Sequence, residues 1–290
     1  MSLGWKEKSI RLIFLSAAST SVLILLCIFV FLFKEAVPFA VEPGPGELLG
    51  TQWVPVSFQK EMFGILPLIT GSFLVTALAT LLTIPFGVVA AAYISEIAAP
   101  AEREILKPFI EILAGIPSVV IGFFGLMVIV PLIKRCFVLQ SGLTALAGAV
   151  LLALMAVPTV ISVSEDALRS VPNSYKAASL ALGANDLQTL WKVTIPAALP
   201  GIVTAVMLGM GRVIGETMAV MMVTGNTAAI TFSPFVAVRT MTATIASEMG
   251  EVVYGGTHYR ALFCIGIVLM LITFVLNTIA YKILKKYRTI

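Results

Sequence analysis

The chain has 290 residues, of which 59% are hydrophobic and 12% are charged, and its mean hydropathy is +1.04. Soluble domains have roughly a quarter of their residues charged, so this composition excludes most soluble classes and predicts a membrane protein. The net charge of +4 follows from basic residues near one side of the predicted membrane and gives no reason to expect nucleic-acid binding.

Six apolar stretches are each long enough to form a spanning helix, which needs about 20 residues. Backbone groups in lipid must be satisfied within the chain, so these stretches predict an all-α polytopic fold. We divide the chain into an N-terminal helix with an outer loop, 1–65, and a core of five spans, 66–290. The six predicted spans are 10–33, 66–94, 109–133, 142–163, 199–223 and 261–284.

Lysine and arginine set the predicted orientation. With the N-terminus inside, the inner segments hold about twice as many of these residues as the outer segments. Both termini are therefore expected in the cytoplasm, with the spans in contact with membrane lipid. Segment 165–199 is then the longest cytoplasmic stretch.

Cysteine and histidine do not indicate a metal site. The three cysteines show no paired spacing, and the single histidine, His258, has no second histidine or cysteine nearby. We expect no metal and no cofactor in this chain, and no combination of nucleophile, base and orienting group points to an enzyme.

Segment 165–199 contains two predicted short helices. Gly183 is a suitable helix end, because glycine adopts the left-handed conformation there, and Asn185 with Gln188 can form a capping box for the second helix. Helical spacing then places three apolar side chains on one face: Leu187, Leu190 and Trp191. Two interpretations of this face are open, packing against the protein itself and docking into a groove of a partner.

The same segment resembles the "EAA" box of ATP-binding-cassette import permeases. In that box a glycine precedes a proline by thirteen residues, as Gly183 precedes Pro196 here. The resemblance implies a type I importer permease whose coupling helix docks on a dimer of ATPase subunits, with ATP and Mg²⁺ bound there. The box's glutamate is replaced by Ala177, followed by Ala178, so docking would depend on apolar contacts and on Lys176, Asp186 or Lys192.

No glycine precedes a lysine in the chain, so the phosphate-binding loop G-x-x-x-x-G-K is missing. The chain is therefore expected to be a non-catalytic subunit, with nucleotide hydrolysed by another chain.

The fifth predicted span contains two charged residues, Arg212 and Glu216, four positions apart on one helical face. Each charge is costly in lipid, at about 2.5 to 3.5 kcal/mol on insertion scales. Gly211 and Gly215 form a G-x-x-x-G pair that predicts close packing with another helix. One interpretation is a packing seam closed by a salt bridge; the other is a passage in which Arg212 attracts an anion while Glu216 holds it in place.

Three further stretches resemble the permeases of the phosphate-specific importer: "AGIPSVVIGFFGL", "GRVIGETMAVMMVTGN" and "RTMTATIASEMGE". The motif "GETMAV" is similar to the PstC-type subunit, whereas the sister PstA-type subunit more often has "GETAPL". The resemblance implies a complex with a PstA-type permease, an ATPase dimer and an extracytoplasmic phosphate-binding protein.

The sequence thus predicts the permease subunit of an ATP-driven phosphate importer. Arg212 and Glu216 are the expected pathway residues, with Thr217 beside Glu216 and Ser118 beside Pro117 as further candidates. Three alternatives remain: a permease for another oxyanion such as sulfate or molybdate, a stand-alone channel or ion-coupled transporter, and a membrane enzyme.

Overall fold

The computed structural model describes residues 5–287. Within that range the chain is mostly helical and includes one hairpin of two short strands. Six segments are long and apolar enough to cross a membrane, which confirms the predicted all-α fold with six spans. They are Glu7–Val41, Leu66–Ile97, Ser118–Cys136, Ala145–Arg169, Asp186–Gly215 and Thr257–Ile283.

Most elements follow one another with short connections, but residues 224–240 form a long irregular segment. The first are α1 (Trp5–Val41), α2 (Pro45–Leu48), β1 (Trp53–Val54), β2 (Met62–Phe63), α3 (Leu66–Ala92), α4 (Pro100–Gly115), α5 (Ser118–Phe124) and α6 (Val130–Cys136). The remainder are α7 (Ala145–Arg169), α8 (Asn173–Ala181), α9 (Asp186–Thr189), α10 (Ile195–Gly215), α11 (Met218–Val223), α12 (Met241–Glu248) and α13 (Thr257–Tyr287). Three π-helical turns extend α3, join α5 to α6 and join α9 to α10: Tyr93–Ile97, Gly125–Ile129 and Leu190–Thr194.

The alternating directions of the spans define two ends of the bundle. The coupling end carries α8 and α9 together with the first and last described residues. The loop end carries the β-hairpin, in which Trp53 pairs with Phe63, and α12.

Helix α7 is the most buried span and forms the centre of the bundle. Gly87 of α3 and Gly209 of α10 both face Val160 of α7, and a Cβ atom added at either glycine would lie 2.7 Å from a Val160 methyl group. The missing side chains let the backbones of α3 and α10 approach α7 closely. The core of the bundle is therefore three helices that meet around one valine.

The small-residue seam of α10 differs from the predicted one. Gly201, Ala205 and Gly209 lie on the buried face of α10, whereas Gly211 and Gly215 have open space where a side chain would be. The prediction that Gly211 and Gly215 pack closely is wrong within this chain. A spacing of four residues is right for a packing seam. However, Gly201, Ala205 and Gly209 in the preceding turns have the same spacing, and they are the small residues that face α7.

The third predicted span, 109–133, is interrupted in the structure. Helix α4 ends at Gly115, Ile116 is extended with ψ 130°, and α5 begins at Ser118. The cause is Pro117, because its ring disfavours the helical conformation at the preceding residue. Helix α4 packs along the coupling half of α7, and the span proper is Ser118–Cys136.

The fifth predicted span, 199–223, is also interrupted. Helix α10 ends at Gly215, Glu216 is extended with ψ 135°, and α11 begins at Met218. The carbonyl of Glu216, which a continuous helix would satisfy, accepts a hydrogen bond of 2.8 Å from the Thr242 hydroxyl of α12 instead. At the coupling end the span is longer than predicted, since the helical run starts at Asp186.

Helix α1 packs against α13 at the side of the bundle. Phe31 and Phe263 meet edge to face with ring centroids 5.5 Å apart, and the Cys264 thiol lies 3.6 Å from the Ala36 carbonyl oxygen. The hairpin continues this contact at the loop end, where Phe63 packs on Phe39. The N-terminal segment 1–65, as far as it is described, is thus fixed to the last span.

Candidate functional site

The guanidinium of Arg212 joins three elements of the bundle. It donates to the Thr159 hydroxyl of α7 at 3.1 Å and to the Ala114 carbonyl at the end of α4 at 3.4 Å. Thr159 lies near the middle of α7, so the guanidinium is at membrane depth. Its side chain is half-buried, which leaves part of the fork free for a further acceptor.

Glu216 does not pair with Arg212. The ion pairs of the described residues do not include these two, and the nearest partner of the Glu216 carboxylate is the Ala219 amide, which donates at 3.4 Å. The predicted pair required a helix that continues through residue 216, and the helix ends at Gly215. Glu216 is therefore a capping group of α11, and Arg212 is held by Thr159 and Ala114 instead.

A crevice rich in hydroxyl groups lies beside Glu216. Thr242 lines it from the first turn of α12, Thr240 from the residue before α12, and Ser72 and Thr76 from α3. Ser72 accepts a hydrogen bond of 2.9 Å from the Met241 amide, so α3 and α12 are joined here. This arrangement gives a half-buried carboxylate several neighbouring hydrogen-bonding groups at the second helix break.

Ser118 and Thr217 mark the two breaks. Ser118 is half-buried at the first position of α5, after the break that exposes the Ala114 carbonyl. Thr217 precedes α11, and its hydroxyl donates to the Gly215 carbonyl at 3.2 Å. Helices α5 and α11 are in contact, because a Cβ atom at Gly122 would lie 3.0 Å from Ala219 Cα. The structure thus places both breaks in neighbouring segments.

The predicted ends of the short helices in 165–199 are confirmed. Gly183 follows α8 with φ +86°, the left-handed conformation that favours glycine. Asn185 caps α9, as its side chain accepts from the Gln188 amide at 2.8 Å and its amide donates to the Gln188 side chain at 3.1 Å. The turn between α8 and α9 is therefore fixed by local sequence.

The predicted apolar face of this segment is divided. Leu190 is 5% exposed and packs in the cluster around α7, whereas Leu187 is 58% and Trp191 57% exposed. The face is split because Leu190 begins a π-helical turn, in which side chains no longer follow the spacing of an α-helix. Leu187 and Trp191 remain available to a partner, as do the exposed residues Ala177, Ala178 and Asp186.

Lys176 is not free for a partner. Its ammonium group lies 2.7 and 2.9 Å from the two carboxylate oxygens of Glu96, at the end of the π-turn that extends α3. Glu96 was missed by sequence reasoning, as were Thr159 and the Ala114 carbonyl. The sequence offered two weak signals: Glu96 is an acid at the end of a long apolar run, and Thr159 follows a proline inside a span.

Glu248 organises the loop end. Its carboxylate accepts from Arg239 at 2.6 Å, from the His258 ring at 2.8 Å and from the Trp53 indole at 3.1 Å, and its side chain is 16% exposed. Glu248 is therefore mostly enclosed by these three partners. It joins the hairpin, α12 and α13, so its role is structural.

The described residues do not suggest a metal centre. Within residues 5–287, no group of three or more histidine, cysteine or acidic side chains is placed to hold a metal ion.

Known proteins resemble the chain in both sequence and fold. A family model described as "Binding-protein-dependent transport system inner membrane component" matches residues 83–289. The "Probable ABC transporter permease protein YqgH" of Bacillus subtilis is 43% identical, covering 78% of this chain and 73% of that protein. The "Phosphate transport system permease protein PstC" of Mesorhizobium japonicum is 32% identical, covering 82% and 78%.

Two solved structures share the fold at low sequence identity. A bacterial ABC transporter involved in the import of alginate has a chain with a TM-score of 0.67 and 14% identity, covering 97% of this chain and 98% of that one. The MetNI methionine ABC transporter has a chain with a TM-score of 0.57 and 20% identity, covering 77% and 94%.

Proposed function

The chain belongs to the family of binding-protein-dependent transport system inner membrane components and is a multi-pass protein of a prokaryotic plasma membrane, and we propose that it is the PstC-type permease of an ATP-driven phosphate importer. The observation that carries the proposal is the position of Arg212 at membrane depth between two helix breaks. Relatives named for phosphate transport support this cargo.

Arg212 suits a passing oxyanion. Its guanidinium stays charged at all relevant pH values and matches the oxygens of phosphate in a fork geometry. An ionisable group inside the membrane is by default a functional hypothesis, and a half-buried one has donors left after its structural bonds are made. Arg212, with Ser118 and Thr217 at the breaks, would line the passage of the anion.

Glu216 would act on selectivity. A carboxylate accepts a hydrogen bond from a protonated phosphate oxygen, whereas sulfate carries no such proton and is repelled. In the structure Glu216 does not hold Arg212, so its carboxylate is separate from the arginine's own partners. Replacing Glu216 with Gln is expected to weaken the discrimination against sulfate without abolishing uptake. Unchanged competition by sulfate in an uptake assay would contradict this role.

The coupling end would face the cytoplasm and receive the ATPase dimer. Leu187 and Trp191 offer apolar area, and the turn at Gly183 projects between α8 and α9. Helix α9 is continuous through the π-turn with α10, which carries Arg212. Movement of the docked ATPase would therefore reach the anion site along one helical run. ATP and Mg²⁺ would bind to the ATPase subunits only.

The proposal is tested by purification and reconstitution. A cassette ATPase and a PstA-type permease are expected to co-purify with the chain, and the complex in vesicles should import phosphate when ATP and the extracytoplasmic phosphate-binding protein are supplied. Import that sulfate or molybdate inhibits better than phosphate would favour another oxyanion. Uptake by the chain alone would favour a stand-alone transporter.

A further inference from the structure

Helix α8 is held to the bundle by polar contacts. Within α8, all of which the structure describes, no side chain is buried. Two polar side-chain contacts join it to other elements: the ion pair of Lys176 with Glu96 and a hydrogen bond of 2.9 Å between Ser179 and Thr189. Because α8 has no buried face, these contacts are important for what moves with it.

The Lys176–Glu96 pair is close and largely shielded from solvent. Both carboxylate oxygens of Glu96 are within 2.9 Å of the Lys176 nitrogen, and the side chains are 23% and 17% exposed. Ser95 donates to Glu96 at 3.0 Å and fixes its orientation. Arg103 stabilises the π-helical turn that carries Glu96, because it donates to the Ile94 and Ser95 carbonyls at 2.8 and 2.6 Å.

The two contacts of α8 lead to different spans. Ser179 binds Thr189, which is in the helical run that becomes α10 and carries Arg212. Lys176 binds Glu96 on the extension of α3, and α3 carries Ser72 and Thr76 to the crevice beside Glu216. Helix α8 thus contacts the second span through a side chain, whereas the chain itself joins α8 to the fourth span, α7, and through α9 to the fifth.

We infer that the Lys176–Glu96 ion pair is the connection through which ATPase movement is passed to α3, so that α3 and α10 move together. Lys176 and Glu96 are then positioning residues that touch no substrate. Without the pair, the docked ATPase still moves α10 through the chain but loses its direct contact with α3, and the two sides of the crevice at Glu216 move together less closely. This inference rests on the proposed function, because it requires an ATPase at the coupling end.

The test reverses the pair in the intact complex. Glu96→Lys and Lys176→Glu are made singly and together, and Glu104→Lys is the matched control on the exposed face of α4. We expect each single variant to keep its ATPase and hydrolyse ATP while phosphate uptake per ATP falls roughly tenfold or more, a typical size for coupling between sites. The reversed pair should restore most of the ratio, and Glu104→Lys should leave it unchanged.

A second readout does not depend on the cargo. The native cysteines Cys27, Cys136 and Cys264 are replaced by serine and Thr76→Cys reports the accessibility of α3 to a thiol reagent. ATP is expected to change labelling in the otherwise native complex and in the reversed pair, and to have no effect in the single variants. If the complex does not import phosphate but ATP still changes the labelling in this pattern, phosphate is not the cargo, and the role of the Lys176–Glu96 pair remains supported.

Three results would overturn the inference. Single variants that transport normally would show that α3 does not need the pair. A reversed pair as impaired as the single variants would show that the residues act separately. Loss of the ATPase from the purified single variants would show that Lys176 or Glu96 serves docking.

Discussion

Replacing Arg212 with glutamine separates transport from stability more sharply than any other change in this chain. The variant removes the charge but keeps an amide that can donate to Thr159 or to the Ala114 carbonyl. One of these bonds is long, at 3.4 Å, and the side chain is half-buried. The loss of stability is therefore expected to be small, about 1 kcal/mol for one charged hydrogen bond weakened in part.

The effect on transport is expected to be larger. A unit charge about 4 Å from an anion contributes about 4 kcal/mol at an effective dielectric constant near 20. Solvent reaches the half-buried guanidinium, and screening reduces this to roughly 1.5 to 3 kcal/mol. The rate of anion passage should then fall by about 10- to 100-fold. Arg212→Lys keeps the positive charge but loses the planar guanidinium, so its rate of anion passage should lie between those of the native protein and Arg212→Gln.

The assay measures phosphate uptake into vesicles that hold the complete complex, alongside thermal unfolding and the ratio of ATPase to permease. Arg135→Gln is the matched control, since it removes the same charge from an exposed position at the loop end of α6. Normal uptake by Arg212→Gln would refute the role of the guanidinium. Equal losses in Arg212→Gln and Arg135→Gln would point to net charge instead of position.

Three further changes test the structure at other places. Glu248→Gln removes the negative charge that Arg239 and His258 both contact, so the free energy of unfolding should fall by about 2 to 3 kcal/mol. Its Tm should be lower than that of the exposed control Glu251→Gln, and equal Tm values would contradict a stabilising role for these contacts. Gly209→Val should destabilise the bundle by about 1 to 3 kcal/mol through overpacking, whereas Gly211→Val in open space should unfold at the native Tm. Leu187→Asp removes about 2 kcal/mol of apolar contact, so ATPase retention on a column should drop by more than tenfold; full retention would place docking elsewhere.

Local sequence signals predicted what depends on neighbouring residues. The number of spans follows from apolar length, the end of α8 from Gly183 and the start of α9 from Asn185 and Gln188. Each of these features is decided within a few residues. No tertiary contact is required to form it, and for this reason the sequence was sufficient.

The sequence indicated candidate site residues, but it did not predict the contacts that those residues make. The spacing of Arg212 and Glu216 indicates a pair only if the helix continues, and the hydroxyl of Thr242, far away in the chain, stabilises the break between them. Leu190 fell on the wrong face because a π-helical turn changes the spacing. The Glu96 and Glu248 contacts join distant segments, which periodicity cannot reveal.

The close meeting of Gly87 and Gly209 at Val160 has a mechanical consequence. Neither α3 nor α10 can slide towards α7 at that level, so a tilt of either helix must turn about this point. Val160 is well inside α7, with helix on both sides of it. A displacement of α3 or α10 towards α7 at one end of the helix would then produce a displacement away from α7 at its other end. Closing the bundle at the coupling end would therefore open it at the loop end, with the pivot at Val160.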